Sequence, residues 1–146
     1  MTPLRHAAVV LLSCLALPAA ALDYRSVAEP AILFDAPSPK AQPLYVVARG
    51  TPVEVVVAVE GWLKVRDSDG AMSWIEQRFV SDRRTVIVRA DRAEIRGRPE
   101  DRAATVFQAQ KDVVLEFVEA GPAGWARVRH RDGQAGYVAV KQVWGL

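Results

Sequence analysis

Gly61-Trp62-Leu63-Lys64-Val65-Arg66-Asp67-Ser68-Asp69-Gly70-Ala71-Met72-Ser73-Trp74-Ile75 is written a second time as Gly124-Trp125-Ala126-Arg127-Val128-Arg129-His130-Arg131-Asp132-Gly133-Gln134-Ala135-Gly136-Tyr137-Val138. At an offset of 63, Gly, Trp, Val, Arg, Asp and Gly coincide, and Lys/Arg, Trp/Tyr and Ile/Val are exchanged in kind. Self-similarity of this sort marks a duplicated structural unit. Upstream the match continues at an offset of 62, through Pro37/Pro99, Leu44/Val106, Tyr45/Phe107, Val53/Leu115, Glu54/Glu116 and Val55/Phe117. The slip of one residue falls where the second copy has the longer turn Ala120-Gly121-Pro122-Ala123. Turns tolerate such insertions.

Each copy has a short apolar period and frequent breakers, which favours strands. Leu44 to Ala48 reads as a short apolar strand, Gly50-Thr51-Pro52 as a break, and Val53 to Val59 as a well-buried strand. From Trp62 to Arg66 the pattern alternates, with Leu63 and Val65 on one face and Trp62, Lys64 and Arg66 on the other. Asp69-Gly70 and Asp132-Gly133 are hairpin signals, expected to form tight turns with positive φ at both central residues. Met72 to Ile75 and Ala135 to Val138 are the returning strands, and Phe79-Val80 and Val143-Trp144 close each copy along an edge. Ile75 to Val80 has room for at most one helical turn. The expected fold is all-β, two tandem small barrels, with units at 22–83 and 84–146 and a boundary near Asp82-Arg83-Arg84.

The remaining residues open the chain. Met1 to His6 is a short basic stretch, Ala7 to Leu17 is nearly unbroken apolar sequence, and Pro18-Ala19-Ala20-Ala21 supplies small residues for cleavage. That is the pattern of a secretory signal over residues 1–21, too short for the ~20 residues of a membrane-spanning helix. The expected location is periplasmic or secreted. Leu11-Leu12-Ser13-Cys14 offers a rival processing site that would place a lipid anchor on Cys14.

The whole chain has 146 residues, of which 51% are hydrophobic and 25% charged, with 19 basic and 17 acidic side chains. This composition is globular, and the net charge of +2 is too small to indicate a nucleic-acid partner. Without residues 1–21 the chain has no cysteine and one histidine, His130. Disulfides, thiol nucleophiles and Cys-ligated metals are therefore excluded from the mature chain. His130 lies between Arg129 and Arg131 beside a turn, where a solvated role is expected. Asp67 and Asp69 flank the other turn, where Asp serves the backbone. No Gly-x-Ser-x-Gly, His-Glu-x-x-His or Gly-x-x-x-x-Gly-Lys motif occurs. The expectation is a protein with no catalytic residues, cofactor or metal, and no membrane span in the mature chain.

The combined pattern resembles the bacterial SH3 (SH3b) domain. It consists of Gly-Trp-x-Lys-Val-x, an Asp-Gly hairpin, then Gly-Trp/Tyr-Val/Ile, preceded by Lys/Arg-Gly-x-x-Val-x-Val and a Pro-containing first loop. The likeness covers roughly residues 27–82 and 87–144. Copy 1 departs from it at Ser73, where copy 2 has Gly136, and copy 2 departs at Asp112-Val113, opposite Gly50-Thr51. The resemblance implies small SH3-like barrels of exported or envelope proteins that bind peptidoglycan or its peptides. It also implies that Trp62 and Trp125 line a ligand groove, the alternative being that these rings, with Trp74 and Tyr137, cap an undersized core. Residues 22–83 carry 7 basic and 9 acidic side chains, and residues 84–146 carry 11 and 8. In copy 2, Arg127, Arg129 and Arg131 recur at every second position, expected on one strand face beside Trp125. The candidate ligand-binding residues are thus Trp62, Lys64, Arg66, Trp125, Arg127, Arg129, Arg131 and Tyr137. The partner is peptidoglycan or, alternatively, a cell-envelope protein, with no nucleic acid.

Overall fold

The computed structural model describes residues 21–146. Residues 1–20, which hold most of the expected signal segment and Cys14, lie outside the described residues.

The first half runs β1 (Asp23–Val27), β2 (Ala31–Phe34), β3 (Pro43–Val47), β4 (Pro52–Val59), β5 (Trp62–Arg66), β6 (Met72–Glu76), a 3₁₀ turn (Gln77–Phe79) and β7 (Val80–Ser81). The second repeats this as β8 (Thr85–Val88), β9 (Arg92–Arg96), β10 (Thr105–Gln110), β11 (Val114–Ala120), β12 (Trp125–Arg129), β13 (Ala135–Ala139), a 3₁₀ turn (Val140–Gln142) and β14 (Val143–Trp144). The strand orders are β3-β2-β6-β5-β4-β1-β7 and β10-β9-β13-β12-β11-β8-β14, one topology used twice. The strand pairings among the described residues are antiparallel, and a β-bulge falls at the same place in each copy, between Val55 and Val57 and between Phe117 and Glu119. Bulges increase local twist, which is what lets so few strands curl around a core. The fold is all-β, two tandem SH3-like barrels.

Each barrel encloses its own apolar cluster. Leu33, Val47, Val53, Leu63, Val65 and Ile75 are buried in the first, and Ile95, Ala109, Leu115, Ala126, Val128 and Val138 take the corresponding places in the second. The alternation of β5 and β12 is as the sequence predicts, with Leu63, Val65, Ala126 and Val128 inward.

Three expectations need correction. The reading of the sequence assigned no strand before Leu44, yet β1 and β2 are there, and β8 and β9 in the second copy. These strands have only four or five residues, and their burial on one face depends on partners distant in sequence. Val53 to Val59 is not uniformly buried. Beyond the bulge Val56, Val57 and Val59 are exposed, because the bulge turns the rest of β4 away from the core. The hairpin turns also differ from expectation. Only Gly70 (φ 88°) and Gly133 (φ 96°) are left-handed, not Asp69 or Asp132. Gly70 N–H donates to the Asp67 carbonyl (3.1 Å) and Gly133 N–H to the His130 carbonyl (2.9 Å), closing a four-residue turn that ends on glycine. The Asp67 carboxylate selects this form by accepting the N–H groups of Asp69 and Ala71, both at 2.9 Å.

The barrels touch around the linker. The Thr85 hydroxyl donates to the Gly50 carbonyl at 2.7 Å. Tyr24 and Trp144 meet edge to face at 5.1 Å. Arg84 lies 5.7 Å from the Tyr24 ring centre and 4.9 Å from that of Phe117, and donates to the Gly145 carbonyl at 2.9 Å.

Candidate functional site

Alternation in β12 and β13 puts Trp125, Arg127 and Arg129 on the outer face of the second barrel, with Tyr137 directly opposite Arg127 across the strand pair. Arg96 of β9 is in turn opposite Tyr137. The structure therefore brings together four of the five residues expected in this copy. Arg131 is not among them, because β12 ends at Arg129 and Arg131 sits in the hairpin turn. The cations are not equivalent either. Arg127 is paired with Glu119 at 3.3 Å, whereas Arg129 and Arg131 have no carboxylate within 4 Å among the described residues.

The first barrel presents Trp62, Lys64 and Arg66 in the same way, but each is already engaged. Phe34 packs edge-on against Trp62 with ring centres 5.5 Å apart. Lys64 Nζ lies 5.9 Å from the Trp74 ring centre. Arg66 Nη1 is 3.1 Å from the carboxylate of Glu54, which is buried and in need of that partner. Trp74 and Tyr137, like Trp62 and Trp125, are half-buried on the outer face and not part of either core cluster.

The second barrel's face opens at Trp125. Beside this ring is a hollow of about 280 Å³ walled by β9, the loop after it, and the segment following β13, with Arg92, Glu94, Arg96, Asp101 and Lys141 around its rim. A shallower space of about 440 Å³ continues past the same ring toward Gly124 and Val140. Arg92, Arg96 and Lys141 were not singled out in the sequence. Their signal was weak because each lies on a different element from the Trp, brought near only by the sheet order.

Electrostatics at the hairpin tips are local. The Asp132 carboxylate accepts the backbone N–H of Gln134 (2.9 Å), which with the Gln134 side chain and His130 holds it down at about 2. His130 Nδ1 lies 3.5 Å from the Asp132 backbone nitrogen and 3.1 Å from its carboxylate. The Gln134 N–H, which corresponds to the Ala71 N–H bound by Asp67 in the first copy, is accepted by Asp132, so the second turn is held chiefly by its own Asp132. Burial, followed by the Asp67 carboxylate that accepts its hydroxyl at 3.1 Å, pushes the Tyr45 phenol up. Among the described residues no group of three or more His, Cys, Asp or Glu is placed to hold a metal ion, and no helix is long and apolar enough to cross a membrane.

In sequence, residues 27–82 and again 89–145 match the family described as bacterial SH3 domain. The chain belongs to that family. Bacterial SH3 domains are typically non-catalytic and are commonly cell-wall binding modules found in extracellular or envelope proteins. No curated protein matches the chain. Among solved structures it is similar to NlpC1 from Trichomonas vaginalis, at 13% identity and a TM-score of 0.41, over 95% of this chain and 51% of that one. An NlpC/P60 family protein from Bacillus cereus is similar at 13% identity and a TM-score of 0.38, over 83% of this chain and 55% of that one. The chain spans about half the length of these solved proteins.

Proposed function

We propose that this tandem bacterial SH3 protein is a non-catalytic, exported binding module that recognises peptidoglycan peptide or glycan, chiefly through the outer face of its second barrel. The observation that supports this most is the grouping of Trp125, Arg127, Arg129 and Tyr137 on one face that opens into a hollow at Trp125. An aromatic ring supplies a platform for an apolar or sugar surface, and guanidinium groups pair with carboxylates. The units are 22–83 and 84–146, released by cleavage after Ala21 into the periplasm or medium. Intact mass of the exported protein checks this, since a diacylglyceryl group on Cys14 would contradict it.

Retention of the full chain on purified peptidoglycan sacculi tests the binding itself. Salt-sensitive retention, lost in Trp125→Ala, is expected, and passage of the wild-type protein through unretained contradicts it.

A second reading, a docking module for an envelope protein, is favoured by one feature of the first barrel. The cross-strand pair Ile32 and Val46 is exposed at 45% and 67%. Where the second barrel has Glu94 and Gln108, the first has that apolar pair. Exposed apolar patches of this kind mark protein contacts.

A further inference from the structure

We infer that the hollow beside Trp125 is a carboxylate-binding site for the end of a peptide, and that Arg92 and Lys141 supply its positive charge. The inference rests on the wall-binding reading only for where such a peptide comes from. Three cations and two carboxylates surround the hollow, Arg92, Arg96 and Lys141 against Glu94 and Asp101. Arg96 is already committed: one end of its guanidinium bonds the Glu94 carboxylate and the other donates to the Ala103 carbonyl at 2.8 Å. Arg92 and Lys141 are exposed, and neither has a carboxylate within 4 Å among the described residues. The charge left over is positive, with Asp101 as an acceptor for a ligand N–H. A peptide end offers that combination, a carboxylate with an amide N–H one residue away. At about 280 Å³ the space lies near the lower limit for small-molecule sites and suits such a chain end better than a long polymer segment.

Comparison with the first barrel shows how the site arises. At the positions of Arg92, Arg96, Ala139 and Lys141 the first copy has Pro30, Phe34, Glu76 and Arg78. Phe34 covers Trp62, and Arg78 is held by Glu76 at 2.8 Å. Exchange of Phe for Arg uncovers the Trp125 ring, and exchange of Glu for Ala at 139 both empties space and releases the cation at 141. The same scaffold is closed and neutralised in one barrel and open and cationic in the other.

The test is an NMR titration of the full chain with N-acetyl-Ala-Ala, its C-terminal amide, and N-acetyl-Glu-Ala-amide, which carries only a side-chain carboxylate. N-acetyl-Ala-Ala is expected to shift the Trp125 indole resonance at millimolar peptide while its amide does not. The third peptide tells whether a side-chain carboxylate is accepted as well as a terminal one. Lys141→Ala and Ala139→Glu should each weaken binding by about tenfold, as loss or neutralisation of one charge-assisted contact does. Glu at 139 is a sound variant because Glu76 is accommodated at that position in the first barrel. Equal binding of the amide, or full affinity in Ala139→Glu, would overturn the site. Sacculus retention without any peptide binding also overturns it while sparing the wall-binding reading, whereas peptide binding without sacculus retention upholds the site and removes that reading.

Discussion

Gly136 and Ser73 occupy equivalent positions, opposite Val128 and Val65, yet a side chain fits at only one of them. A Cβ at Gly136 would lie 2.6 Å from both the Arg96 carbonyl and Ile95 Cγ2. Gly136→Ser should therefore destabilise the second barrel by ~1–3 kcal/mol, the usual cost of overpacking, measured by urea denaturation. An unchanged midpoint would show that β13 can move away from β9. The Asp132 carboxylate gives a second residue-scale prediction. Its folded value of about 2 is below the ordinary ~3.9, so it stabilises the hairpin tip above pH ~4 and that contribution disappears as pH falls through about 2. Following the Gln134 amide by NMR from pH 5 to 1 should show a midpoint near 2, and one near 4 would mean that the carboxylate does not cap the turn. The sequence did show that Asp favours these turns. It did not show that the acceptor moves from Asp67 in the first turn to Asp132 in the second, because both turns carry Asp near the glycine and the position of Asp67 is taken by His130.

Among the elements, those with local signals were the most legible. β5, β6, β12 and β13 follow from alternation around Asp-Gly, and Leu63, Val65, Ala126 and Val128 are inward as read. Val65 is 1% exposed, and Val65→Asp should cost several kcal/mol, on the order of an unpaired charge placed in a core. Loss of the first barrel's dispersed NMR signals or a large fall in its denaturation midpoint is expected, and near-native stability would contradict the packing. β1 was not legible, since five residues of mixed polarity become a strand only by pairing with β4 some thirty residues later, whereas β8 is Thr-Val-Ile-Val, a short β-branched run whose place is fixed by pairing with β11. The candidate site was half legible for the same reason. Trp125, Arg127, Arg129 and Tyr137 are contributed by adjacent strands of one hairpin, whereas Arg92 and Lys141 reach the Trp through the order of the whole sheet.

For the whole molecule, the contacts at the linker determine how the two faces are displayed. Arg84 is the centre of this region: its guanidinium lies near both the Tyr24 and Phe117 rings, while its Nε is buried with no hydrogen-bond partner among the described residues. The rings and the Gly145 carbonyl offset that cost. Arg84→Ala should lower stability by ~1–3 kcal/mol, and calorimetry should show one thermal transition in the wild type separating into two in the variant. A wild-type protein that already unfolds in two steps would mean the barrels are independent. The pair then carries two unlike surfaces, an apolar one on the first barrel and a cationic aromatic one on the second, and it is the second that we propose meets the wall. Backbone chemical-shift mapping of the full chain with solubilised peptidoglycan fragments tests this most directly. Perturbations are expected to gather at residues 92–96, 125–129 and 137–142, with the equivalent residues of the first barrel unmoved. Perturbations confined to Ile32, Val46, Trp62 and Trp74, or none at all, would contradict it.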